Sequence, residues 1–172
     1  NHDFPTMKRL WEEYCTCDSV DKNELQKILE EIKNSKLAEP FGACVEWILP
    51  LWKTIAEEDH SYNVLKLVLD LQTTNSSELA NITFDLLNQK YSTHTYFNEK
   101  IRLIGLRQRV DFQRAITNYE LLSHMDKSKF VYHLGGWGVG EIVELSLVRE
   151  ELFIEFEHVV GRKEVSFERA FK

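Results

Sequence analysis

Three cysteines, three prolines and seven glycines are few for 172 residues, and each scarcity excludes something. An odd set of thiols, Cys15, Cys17 and Cys44, fits a reducing compartment better than a disulfide framework. Cys15-x-Cys17 is not the two-residue spacing of a zinc knuckle or a thioredoxin-type site, and no second pair completes four ligands. Plain reduced thiols follow, and in such a compartment the sequons Asn75-Ser76-Ser77 and Asn81-Ile82-Thr83 are chance matches. No run of 18 apolar residues is present, so no transmembrane helix is expected. Basic charge is also short: 21 Lys and Arg against 28 Asp and Glu leave a net −7, which excludes a chain-wide basic surface of the kind that grips duplex DNA. The start, Asn1-His2-Asp3-Phe4-Pro5, has neither a basic region with an apolar core nor an initiator Met, and the chain stops on Ala170-Phe171-Lys172. The expectation is a cytoplasmic segment of a longer protein.

Catalytic chemistry is missing as well. Gly136-Trp137-Gly138-Val139-Gly140 has the wrong spacing for a dinucleotide fingerprint, and a strand follows where a phosphate site needs a helix N-terminus. There is no P-loop, no nucleophile motif, and six histidines lie scattered without ligand spacing. The paired carboxylates Glu12-Glu13, Glu30-Glu31 and Glu57-Glu58 fall on solvated helix faces. No catalytic, cofactor-binding or metal residue is expected, and no small-molecule substrate.

Apolar residues make up 43% of the chain, enough for a core. Up to about residue 125 they recur at helical spacing. Pro5 suits the first turn of a helix over 5–16 carrying Met7, Leu10, Trp11 and Tyr14. Asp21 with Glu24 resembles a capping box ahead of Leu25, Ile28, Leu29 and Ile32, and Glu39-Pro40 ends that unit. A third helix carries Phe41, Val45, Ile48, Leu49 and Trp52, with a kink or break at Pro50. Asp59 can cap a fourth, Asn75 with Glu78 a fifth, and Asp111 a last one over Phe112–Leu122; a short helix ends near Gly105. The helices pair at roughly 35–40 residues, the length of helical-repeat units, so a bundle or an array of helical hairpins is predicted.

The chain then changes character. Five of its seven glycines and no proline follow Met125-Asp126-Lys127-Ser128-Lys129. Strands are predicted at Lys129–Leu134, with Phe130, Tyr132 and Leu134 on one face, and at Val139–Leu145, Glu151–Glu157 and Arg162–Phe167, closed by a helical turn. The fold class is therefore α+β: an all-α domain over 1–126, then a small SH3-like or Tudor-like β-barrel over 128–172.

Two stretches offer contacts. Trp137, set among Gly135, Gly136, Gly138 and Gly140, either closes the barrel mouth or anchors a partner, with His133 as a polar neighbour. Lys100, Arg102, Arg107, Arg109 and Arg114, against Glu99 and Asp111, form the one locally basic stretch. It is either a solvated, salt-bridged surface or a patch for phosphate or an acidic partner.

From about Lys100 to Lys172 the chain resembles a known family. The run Ile101-Arg102-Leu103-Ile104-Gly105-Leu106-Arg107, then Asp111–Ile116, Tyr119–Met125, His133-x-Gly135-Gly136-Trp137-Gly138-x-Gly140-Glu141-Ile142, Leu147–Glu150 and Phe156-Glu157 are similar to the N-terminal extension of the long GreA-type transcript cleavage factors of obligately intracellular bacteria. The glycine-rich strand pair also resembles the polymerase-interaction module of the CarD and transcription-repair-coupling proteins. That likeness implies docking on the RNA polymerase β subunit by a strand edge, with Tyr132, His133, Trp137, Val139 and Arg149 as contacts. Gre-type cleavage needs an acidic tip on a coiled-coil hairpin, which this chain lacks. The resemblance thus implies a docking arm whose catalytic module lies beyond Lys172.

Three readings remain open: a polymerase-docking segment, a nucleic-acid module stacking bases on Trp137 or Tyr132 beside residues 100–114, and a protein-interaction scaffold with an unrelated partner. Residues 128–172 carry six basic and eight acidic side chains, a balance that favours protein over nucleic acid.

Overall fold

The computed structural model describes residues 3–17, 19–56, 61–125 and 129–170. They fall into two compact units. One comprises residues up to 95 with 105–117, and the other comprises 96–104 with 118 onward. The sequence had pointed to a single division near residue 127.

The first unit is helical. α1 (Phe4–Cys15) carries Pro5 in its first turn, where the missing N–H has no intrahelical partner to lose. Its Trp11 is buried edge-on to Phe41 at 5.0 Å and donates from Nε1 to the Cys44 carbonyl at 3.1 Å. α2 (Lys22–Lys33) starts at Asp21, whose carboxylate accepts from the N–H groups of Asn23 at 2.8 Å and Glu24 at 3.5 Å. Leu25 and Leu29 bury its inner face against α5 (Ser61–Leu71), which contributes Val64, Leu65, Val68 and Leu69. Half-buried Asp70 accepts from Lys33 and from the Thr117 hydroxyl, each at 2.8 Å.

Pro40 does not end a unit. It lies within α3 (Ala38–Gly42), among the first residues, whose N–H groups have no intrahelical acceptor in any case. The helix expected over 41–52, with a kink or break at Pro50, is three pieces: α3, a 3₁₀ turn at Val45–Ile48, and α4 (Leu49–Ile55). A break does fall at Pro50, which helps to start α4, and a further one lies before Val45. Asp59, the expected cap of α5, lies outside the described residues. α6 (Ser77–Tyr91) is capped by Ser76, which accepts from the Leu79 N–H at 3.4 Å, one residue later than the Asn75 expected. Asp111 does not start the last helix. It holds a left-handed φ of 46°, and α8 (Ala115–His124) begins four residues on. Between them Phe112 is fully buried and its carbonyl accepts from Gln72 at 3.4 Å, so tertiary packing fixes this segment.

The second unit combines α7 (Phe97–Leu103), the later part of α8 and the sheet. Phe97 meets Tyr119 edge-on at 6.0 Å. β1 (Phe130–His133), β2 (Gly138–Ser146), β3 (Glu151–Phe156) and β4 (Arg162–Ser166) form an antiparallel meander in that order. Ile142, Leu152, Ile154 and Phe156 line its buried face. The register shifts between Ile142 and Glu144, a bulge that bends β2. α9 (Phe167–Ala170) ends the described chain, with Phe167 buried.

The α+β class and all four strands are as read from the sequence. The barrel is not: among the described residues β1 pairs only with β2 and β4 only with β3, so the sheet is open. Closure needs an edge strand long enough to cross and pair at both ends, and β1 has four residues.

Candidate partner-docking edge

The β1–β2 register sets the site. Phe130 faces Glu141, Val131 faces Gly140, Tyr132 faces Val139 and His133 faces Gly138. The Ile142 N–H donates to the Lys129 carbonyl at 2.9 Å, which makes 129/142 a hydrogen-bonded pair. Bonded and non-bonded pairs alternate in an antiparallel ladder, so the N–H and C=O of Phe130 and Tyr132 point away from β2 to the free edge. Their side chains share one face with Val139, and that face is open: Phe130 is 69% exposed and Tyr132 67%. Leu134, at the start of the turn, is 89% exposed. An unpaired edge beneath a row of apolar side chains is what a sheet offers to an incoming strand.

The glycine turn belongs to the opposite face. Gly135 lets the imidazole of His133 fold over it, and its N–H donates to His133 Nδ1 at 3.1 Å. His133 stacks on Trp137 with centroids 4.3 Å apart and planes 10° apart, and both rings meet buried Phe156 edge-on at 5.5 and 5.4 Å. Gly140 makes room for that cluster, since a Cβ there would lie 2.6 Å from both Ile154 Cγ2 and the Phe156 ring. Gly138 has a left-handed φ of 78°, and beside it Glu157 accepts from the Val139 N–H at 3.1 Å.

The expected contact residues therefore separate. Tyr132 and Val139 lie together on the open face. His133 and Trp137 lie together over Phe156, stacked on each other. Arg149 sits in the β2–β3 turn, at the far end of the nine-residue β2. Phe130 and Leu134 complete the open row. The alternation that places them beside Tyr132 is visible in the sequence, yet neither stood among the expected contacts.

The basic stretch also divides. Lys100 and Arg102 belong to the unit with the sheet, and Arg107, Arg109 and Arg114 to the other. Arg102 bonds Glu150 at 2.9 Å and the Leu147 carbonyl at 3.3 Å, tying α7 to the β2–β3 turn. Arg109 donates to Asn81 at 2.7 Å, and Arg107 and Arg114 are exposed. Burial pushes the Cys15 thiol up to about 12 and also raises that of Cys44, so both are protonated and inert at neutral pH. Among the described residues no group of three His, Cys, Asp or Glu is placed to hold a metal, and no helix is long and apolar enough to cross a membrane.

The chain is 47% identical over 163 residues to a transcription elongation factor GreA of Chlamydia pneumoniae. It is 42% identical over the same length to a GreA of Chlamydia trachomatis. Each alignment covers 95% of this chain and 23% of the relative, so the chain spans about a quarter of the length of the proteins it matches. These alignments support a GreA-related factor and extend the likeness across the helical region. No family model matches the chain, and no solved structure does.

Proposed function

We propose that the chain is a non-catalytic docking segment of a larger GreA-related elongation factor, working in the cytoplasm and binding RNA polymerase, on its β subunit, through the edge of β1. The observation that carries this reading is the unpaired edge at Phe130 and Tyr132 under an exposed apolar row. Such an edge takes an extended segment by main-chain hydrogen bonding, with side-chain pockets adding specificity. The relatives' names supply the process, and the resemblance to the polymerase-interaction module supplies the partner. The nucleic-acid alternative is weakened because Trp137 offers a face already stacked on His133.

Binding of the whole chain to purified RNA polymerase core tests this. Tyr132→Pro removes the outward N–H together with the ring and leaves the ladder bonds to β2, which come from the neighbouring residues, and proline is tolerated at an edge; loss beyond that of Tyr132→Ala is the share of the N–H. Tyr132→Pro is expected to weaken binding at least tenfold with the circular dichroism spectrum kept, and Tyr132→Ala to weaken it through the lost ring. Unchanged affinity in both variants overturns the reading. Salt-sensitive binding to single-stranded RNA instead would favour the nucleic-acid module.

A further inference from the structure

The open face of the sheet carries a second pattern beside its apolar row. By the register, Glu141 lies directly opposite Phe130 on one side and Glu155 on the other, and all three side chains point to this face. Glu144, Glu151 and Glu164 share it. Of the strand residues on this face, Arg162 is the only basic one, and it is engaged by Glu144 and lies over the Phe153 ring at 4.6 Å. Glu151 and Glu164 crowd each other enough that burial, then their shared hydrogen bond and charge, raise the Glu151 carboxyl above its usual range. Glu141 and Glu155 are both exposed and, among the described residues, have no salt-bridge or hydrogen-bond partner. Like charges directly opposite destabilise a strand pair, so this column is a cost the isolated sheet bears.

We infer, resting on the docking reading above, that β1 takes an extended segment bearing an apolar residue and, two positions away, a Lys or Arg. The apolar residue lies beside Tyr132, Val139 and Leu134. The basic residue lies beside Phe130 and reaches across it to Glu141. The geometry fits. An added strand sits about 4.8 Å beyond β1, which puts its backbone about 10 Å from that of β2. A Lys or Arg stem can lie along the exposed Phe130 ring, with its charge at the Glu141 carboxylate and in the field of Glu155. The same column repels phosphate and acidic segments, so the face selects by charge as well as by edge pairing.

The probe is a blocked nine-residue peptide of alternating valine and threonine with Val-Thr-Arg at its centre, compared with the same peptide carrying Glu in place of Arg. Each is titrated into the isotope-labelled whole chain. The Arg peptide is expected to shift the Phe130 and Tyr132 amides saturably and to bind at least fivefold more tightly than the Glu peptide. Glu141→Lys, which relieves a repulsion and leaves the core untouched, is expected to reverse the preference. Equal affinities, or no saturable shift with either peptide, overturn the inference. A polymerase arm separates the two claims. If Tyr132→Pro abolishes polymerase binding while Glu141→Lys leaves it unchanged, the docking reading stands and the charge rule falls. If Tyr132→Pro leaves polymerase binding unchanged, the docking reading falls, and with it the inference that rests on it.

Discussion

At Gly140 a single missing methyl group holds the sheet's aromatic cluster in place. Strand glycines ordinarily weaken a strand, because they add backbone entropy and bring no packing. Here Ile154 and Phe156 occupy the space a side chain would take, and Phe156 in turn supports the stacked His133 and Trp137. An alanine at this position would gain about 0.4–1 kcal/mol by restricting the unfolded chain. It would lose more by forcing a rigid, buried ring out of place, an overpacking cost of about 1–3 kcal/mol. Gly140→Ala is therefore expected to destabilise the protein in urea and to shift the indole N–H resonance of Trp137. Unchanged stability would mean that the cluster relaxes freely and that the glycine serves only the turn. Four clustered glycines mark a bend in the sequence, but which of them yields space and which yields angle depends on residues 14 and 16 positions away, which no local pattern reveals.

The elements themselves were legible where one strong local signal acts alone. All four strands follow from period-two alternation and the glycine turn, and α2 follows from Asp21 ahead of a regular apolar stripe. Legibility failed where tertiary contacts decide. The break between α3 and α4 precedes Pro50, because burial of Phe41, then Val45 and Ile48, then Leu51 on three short pieces outweighs a continuous helical stripe. The start of α6 shows a finer ambiguity. Asn75 and Ser76 are both good caps, and only backbone geometry chooses: Ser76 has the extended ψ of 127° and accepts from Leu79. Ser76→Ala is thus expected to cost about 1 kcal/mol, as is Asp21→Ala, while Asn75→Ala changes little. Thermal unfolding of the three variants checks this, and a larger loss at Asn75 than at Ser76 would return the cap to the residue read from the sequence. The candidate site was half legible for a related reason. A lone Trp among glycines draws notice, whereas the exposure of Phe130 and Leu134 depends on β1 being an edge, and the order of strands is not written locally.

For the whole molecule, the question is what folds with what. A sheet of four short strands buries little, and below about 40–60 residues a domain of this kind is marginal without added support. The grouping of 96–104 with 118 onward supplies that support from both sides of an intervening loop. Phe97, Ile101 and Ile104 are buried on or just after α7, Tyr119, Leu122 and Met125 on or just after α8, and Arg102 clamps the turn that joins β2 to β3. The exposed ion pair itself is worth at most about 1 kcal/mol, so the apolar burial carries most of the effect. Two outcomes follow. A fragment beginning at residue 128 is expected to be unfolded, with collapsed amide dispersion, because it leaves behind every one of those side chains. In the whole chain, the amides of α7 are expected to exchange in the same protection class as β2 and β3, since cooperative units follow shared burial rather than sequence order. Exchange of α7 together with α6, or a well-dispersed spectrum from the fragment, would instead put the boundary near residue 127, where the change in composition first places it.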